Sequence, residues 1–133
     1  MYNGTLIKLG NYELPLRYIK AETYQVLFST NDLDSYRDAN GELHRNALDH
    51  KVAKVEFQTP PLLTNHQVSE LMRNIQLQYT NAREKKLLVT MYIPEMDDYV
   101  TQEMYIPDIQ FTIYGIFGNV IKYNAFRLAF IGY

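Results

Sequence analysis

Thr64-Asn65-His66-Gln67-Val68-Ser69-Glu70-Leu71-Met72-Arg73-Asn74-Ile75-Gln76-Leu77-Gln78 is the segment of this 133-residue chain that reads most clearly as a helix. Val68, Leu71, Met72 and Ile75 recur at helical spacing and make one apolar stripe, with His66, Ser69, Glu70, Arg73 and Asn74 on other faces. The entry is marked twice. Thr64 is an N-cap residue with Gln67 three positions on, the pattern of a capping box, and Leu63 and Val68 stand where a hydrophobic staple forms. A helix with a single apolar stripe packs one side on a sheet, so the neighbouring strands decide the class.

Upstream, Lys51 to Gln58 alternates: Ala53, Val55 and Phe57 fall on one face, Val52, Lys54, Glu56 and Gln58 on the other, and Pro60-Pro61 stops the strand. Thr23 to Ser29 is a second strand rich in β-formers (Tyr24, Val26, Leu27, Phe28). Before it, Leu6 to Leu9 and the period-2 run Tyr12, Leu14, Leu16, Tyr18 read as short strands, with Pro15 making the latter an edge or a crossing segment. Downstream, Leu87 to Ile93 and Tyr99 to Ile106 predict a hairpin turning at Pro94 to Asp98. Ile109 to Tyr114 predicts a further strand, and Val120 to Ile131 one long closing strand. The expected fold is α+β: antiparallel β-sheets, sandwich or barrel-like, with one packed helix, in a single domain over 1–133.

Residues 30–48 break this alternation. Large apolar side chains are sparse, and Asn40-Gly41 signals a type I′ turn, since both residues tolerate positive φ. The segment reads as a protruding polar β-hairpin arm. A long polar loop is often no more than solvated connecting chain. A mixed-charge hairpin with a few apolar anchors also suits docking on a neighbouring subunit, where charge pattern sets the register. On that reading Asp34, Tyr36, Arg37, Asp38, Asn40, Gly41, Leu43 and Arg45 are the expected subunit-interface residues, with Arg37 and Arg45 as charge partners and Asn40-Gly41 at the tip.

Composition narrows the chemistry. There are no cysteines, which removes disulfides, thiolate metal sites and cysteine nucleophiles. Thirteen basic against fifteen acidic residues give a net charge of −2, which argues against a general phosphate-backbone binder. The longest apolar stretch, Ile113 to Ile121, is too short to span a bilayer, and the N-terminus lacks the pattern of a secretory signal. Asp32, Asp34, Asp38, Asn40 and Gly41 superficially resemble a calcium loop. With Gly41 at its sixth position, however, the first and twelfth ligands would be Tyr36 and Ala47, which cannot chelate. Glu95, Asp97 and Asp98 fit a turn. His44, His50 and His66 have no zinc spacing, and Asp49-His50 are strand neighbours pointing to opposite faces. Arg83, Lys85 and Lys86 follow the helix, where cations complement its dipole. No phosphate loop, dinucleotide fingerprint or nucleophile elbow occurs. The expectation is therefore a chain without catalytic residues, metal or cofactor.

The aromatic skew is toward tyrosine: twelve Tyr, six Phe and no Trp. Alternation assigns Phe28, Phe57, Phe111, Phe126 and Phe130 to the core. Tyr99, Tyr105, Tyr114 and Tyr123 cannot all join them, so part of that aromatic surface reads as contact area. A Tyr-lined β-sheet surface holding a glycan or peptide as a monomer is the alternative use.

The succession Ser35-Tyr36-Arg37-Asp38-Ala39-Asn40-Gly41-Glu42-Leu43-His44-Arg45, then Lys51 to Phe57, then Leu62-Leu63-Thr64-Asn65-His66-Gln67-Val68, then Leu87-Leu88-Val89-Thr90-Met91-Tyr92 resembles small tail and baseplate structural proteins of bacteriophages and prophages from Gram-positive bacteria. The resemblance covers residues 25–131, and the wider element order is similar to the tail-tube and distal-tail fold. It implies a virion structural protein, made in the bacterial host cytoplasm, that builds rings, usually sixfold, around a lumen traversed by DNA. The implied partners are copies of itself and other tail or baseplate proteins, with no sequence-specific nucleic acid and no membrane. It further implies that the long loop, here 30–48, reaches an adjacent ring or subunit.

Overall fold

The computed structural model describes residues 1–32, 36–44 and 47–133, with side chains described at 1–27, 37–43 and 53–133. Seven strands form one open antiparallel sheet in the order β2-β1-β8-β9-β12-β6-β3. These are β1 (Ile7–Leu9), β2 (Tyr12–Glu13), β3 (Gln25–Asp32), β6 (Ala47–Gln58), β8 (Lys86–Ile93), β9 (Asp98–Tyr105) and β12 (Arg127–Gly132). A second, three-stranded sheet runs β10 (Ile113–Phe117), β11 (Val120–Tyr123) and β7 (Leu63–Thr64), and a two-stranded hairpin joins β4 (Tyr36–Arg37) to β5 (Leu43–His44). The fold is α+β as the pattern predicts, but neither larger sheet closes into a barrel.

Alternation explains why these segments pair as they do. In β8, Leu87, Val89, Met91 and Ile93 are buried while Leu88, Thr90 and Tyr92 turn outward, and the β8–β9 register runs without a slip from Lys86↔Tyr105 to Ile93↔Asp98. In β6, Ala53, Val55 and Phe57 face inward. Helix α1 (Asn65–Gln76) contributes Val68, Leu71 and Ile75 to the same core, each worth roughly 1.5–3 kcal/mol of apolar burial. Its capping box is present in full.

Four sequence expectations need correction. The closing strand is two strands in two sheets. At the crossover, buried Thr59 donates its N–H to the Phe126 carbonyl (3.0 Å) and its hydroxyl accepts from the Phe126 N–H (3.2 Å). This clasp bends the chain between β11 and β12. The expected strand at 109–114 begins only at Ile113, because the chain after Pro107 lies outside any ladder, and the strand runs on to Phe117. Pro15, without a donor, ends β2 and opens a 3₁₀ turn at Leu16–Tyr18 that buries Tyr18 instead of extending the edge. Lys85 and Lys86 turn away from the helix terminus to Asp108 (2.9 Å) and Glu103 (3.3 Å).

Candidate assembly surface

The arm is a β-ribbon. β3 and β6 pair from Gln25↔Glu56 to Asp32↔Ala47, but β12 accompanies β6 only as far as Lys54↔Ile131. Beyond that point the two strands run on without β12 to Asp32 and Ala47, and β4 and β5 pair with each other next to the tip. The tip differs from the type I′ expectation. Gly41 alone has positive φ (+80°), its N–H donates to the Asp38 carbonyl (3.0 Å), and the Asp38 N–H donates to the Glu42 carbonyl (2.9 Å). Asn40 stays at negative φ, so the loop is a four-residue turn, Asp38 to Gly41, closed by a left-handed glycine.

The charged side chains of the tip serve this turn. One Asp38 carboxylate oxygen accepts from the Asn40 N–H (2.9 Å) and the Glu42 N–H (3.0 Å), which accounts for an acid there without a metal. Arg37 donates from one of its five N–H groups to the Gly41 carbonyl (3.0 Å). Leu43 is exposed. Arg37, Asp38, Asn40, Gly41 and Leu43 thus come together at the tip, whereas Asp34 and Arg45, and the side chain of Tyr36, lie outside the described residues. Among the described residues no group of three His, Asp or Glu side chains is placed to hold a metal ion. No helix among them is long and apolar enough to cross a membrane.

A surface that strand reading missed lies on β10. Ile113, Tyr114, Ile116 and Phe117 are all exposed, with Ile116 67% accessible, and β10 is an edge strand. The signal is in the sequence, since residues 109–121 carry no charge; alternation sets Ile113 on the face of Phe111, Tyr114 is among the tyrosines expected outside the core, and Ile116 and Phe117 lie beyond the expected strand. Phe111 is likewise at the surface, leaning on Phe126 with ring centroids 4.8 Å apart, while Phe57, Phe126 and Phe130 are core as expected. Phe28 falls among the undescribed side chains.

The tyrosines on the outer face of the large sheet are tied to their own chain. Tyr92 donates to Asp97 (2.7 Å), and that hydrogen bond holds its hydroxyl above the usual tyrosine pKa. The Tyr99 hydroxyl bridges Asn3 and the Thr5 carbonyl, pinning the N-terminal segment. Tyr2 and Tyr99 stand edge-on to Tyr92, each at 5.6 Å. Tyr114 is exposed.

With this geometry in hand, the chain matches, over residues 1–133, a family of unknown function, DUF6711. It belongs to that family. A search of curated proteins gives no match. Among solved structures, a chain from the tail of an empty gene transfer agent particle, resolved with sixfold symmetry, aligns over 100% of this family member and 95% of its own length. Its TM-score is 0.56 at 17% identity. A chain from the virion of the native gene transfer agent particle aligns with the same coverage, at TM-score 0.56 and 16% identity. At these identities the likeness is one of fold.

Proposed function

We propose that this protein is a non-enzymatic virion structural protein, a tail or baseplate component that assembles into a ring through strand edges and the 30–48 arm. The observation that carries this reading is the end-to-end correspondence in fold with a chain of a sixfold tail. Two features of the protein fit it. The β3–β6 ribbon extends past the sheet that anchors it, as a reach toward a neighbour requires. The uncharged β10 edge offers apolar surface of the kind that monomers do not usually leave open. Its partners on this reading are copies of itself and adjoining tail proteins, its location is the particle, and DNA passes through the ring without being read.

Light scattering on the purified protein tests this, alongside a variant in which residues 33–46 are replaced by Asn-Gly. Asp32 and Ala47 are register partners, so a two-residue turn closes the shortened ribbon without disturbing the sheet. The full chain is expected to form multimers, and the shortened chain to stay folded but assemble less. A strict monomer at high concentration, indifferent to loss of the arm, overturns the reading.

A further inference from the structure

We infer that copies of this chain join head to tail, the β10 edge of one adding to the β3 edge of the next. This deepens the assembly reading above and rests on it. The two larger sheets have four outer edges: β2 and β3 in one, β7 and β10 in the other. Proteins guard such edges with charges, prolines or very short strands, because an open ladder recruits another chain. β2 is two residues long, contains Glu13 and is followed closely by Pro15. β7 is two residues long, preceded by Pro60-Pro61 and continued directly into the helix. Both are closed.

β3 and β10 are longer and contain no proline; the only charge on them is Asp32 at the far end of β3, and the β10 ladder shifts register once, between Ile113 and Gly115. β10 lies within the uncharged stretch 109–121, and β3 begins within a second uncharged stretch, 23–31. Exposed apolar side chains stand on both: Ile113, Ile116 and Phe117 on one, Leu27 (61% accessible) on the other. The two edges also differ in shape in a complementary way. Beside β3 a cleft of about 300 Å³ is lined by Val26, Leu27, Ile93 and Pro94, with Glu95 at its side. β10 offers protruding side chains of the right kind to enter it. A single contact between unlike edges covers both on every copy, and such a contact closes into a ring when its rotation divides a full turn. Pairing like with like requires two separate interfaces for the same coverage.

Two blocking variants decide the matter: Ile116→Lys on β10 and Leu27→Lys on β3. Both positions are exposed, so unchanged thermal melts by circular dichroism verify folding, and Ile116→Asp repeats the β10 block without a long aliphatic stem. In sedimentation velocity each variant alone is expected to self-associate about a hundredfold more weakly than the unmodified chain. Mixed in equal amounts, they restore one intact contact, β10 of the Leu27→Lys copy against β3 of the Ile116→Lys copy. The mixture is expected to give a one-to-one heterodimer that grows no further.

A mixture that stays monomeric overturns the inference. So does a Leu27→Lys chain that dimerises by itself while Ile116→Lys does not, the signature of β10 pairing with β10. If both variants assemble as well as the unmodified chain, the edge pairing falls while ring assembly through the arm stands. If the unmodified chain is monomeric throughout, both fall together.

Discussion

Thr64 and Gln67 cap the helix reciprocally: the Gln67 N–H donates to the Thr64 hydroxyl at 3.3 Å, and the Thr64 N–H donates to the Gln67 side-chain carbonyl at 3.0 Å. Two of the four donors left open at a helix start are thereby satisfied at the junction of β7 and α1. Thr64→Ala removes one acceptor and loosens the other. It is expected to cost about 1 kcal/mol, lowering the melting temperature by about 4 °C in a domain of this size. Thermal denaturation followed by circular dichroism measures it, and Thr64→Ser, which keeps the hydroxyl, should recover most of the loss.

Phe130 and Phe111 separate core from surface. Phe130 is fully buried among the inward residues of the large sheet, so Phe130→Ala is expected to cost about 3–5 kcal/mol, a large fraction of a typical domain's stability. Phe111 is 39% accessible and leans on Phe126, so Phe111→Ala should cost about 1 kcal/mol. Urea unfolding of the two variants checks the ranking. Equal losses would contradict the placement of Phe111 at the surface.

The difference between these phenylalanines also shows what could be read from sequence. The helix, its cap, β6 and the β8–β9 hairpin were legible because local signals and tertiary packing agree there: period 3.6 around Val68, Leu71 and Ile75, and period 2 through Leu87, Val89 and Met91. The segment after Pro107 was not legible. Ile109, Phe111 and Ile113 alternate as a strand does, yet what decides their state is long-range: Asn124 bonded to the Thr112 carbonyl, and the Thr59–Phe126 clasp that parts β11 from β12. The arm was placed by its polarity and by Gly41. The turn type was missed because Asn40-Gly41 says that positive φ is available, not how many residues use it.

Gly41 supplies the left-handed residue on which the arm tip closes. A methyl group there meets nothing within 4 Å, so the cost of Gly41→Ala comes from backbone conformation alone, about 1 kcal/mol. Because the tip stands apart from the core, the effect is expected to be local. The Glu42 amide should exchange about fivefold faster by NMR, with the global melting temperature unchanged. A melting point several degrees lower would show the tip to be coupled to the domain.

Tyr24 links pH to stability through a single hydroxyl. It donates to the Tyr92 carbonyl at 2.8 Å, and burial raises its pKa well above the ordinary value of 10.0. The folded chain therefore holds this proton at a pH where the unfolded chain has lost it. Unfolding then releases a proton, and stability falls as pH rises beyond about 10, while below that the group adds no pH dependence. Burial at Tyr12 and Tyr79 and the hydrogen bond from Tyr92 to Asp97 push in the same direction, so the decline is shared. Tyr24→Phe should lose about 1 kcal/mol near neutral pH, with the hydrogen bond. It should also flatten the decline between about pH 10 and pH 12, bringing the variant level with the parent at the alkaline end. Urea midpoints across that range test both halves, and parallel curves for the two proteins would assign the alkaline transition to other tyrosines.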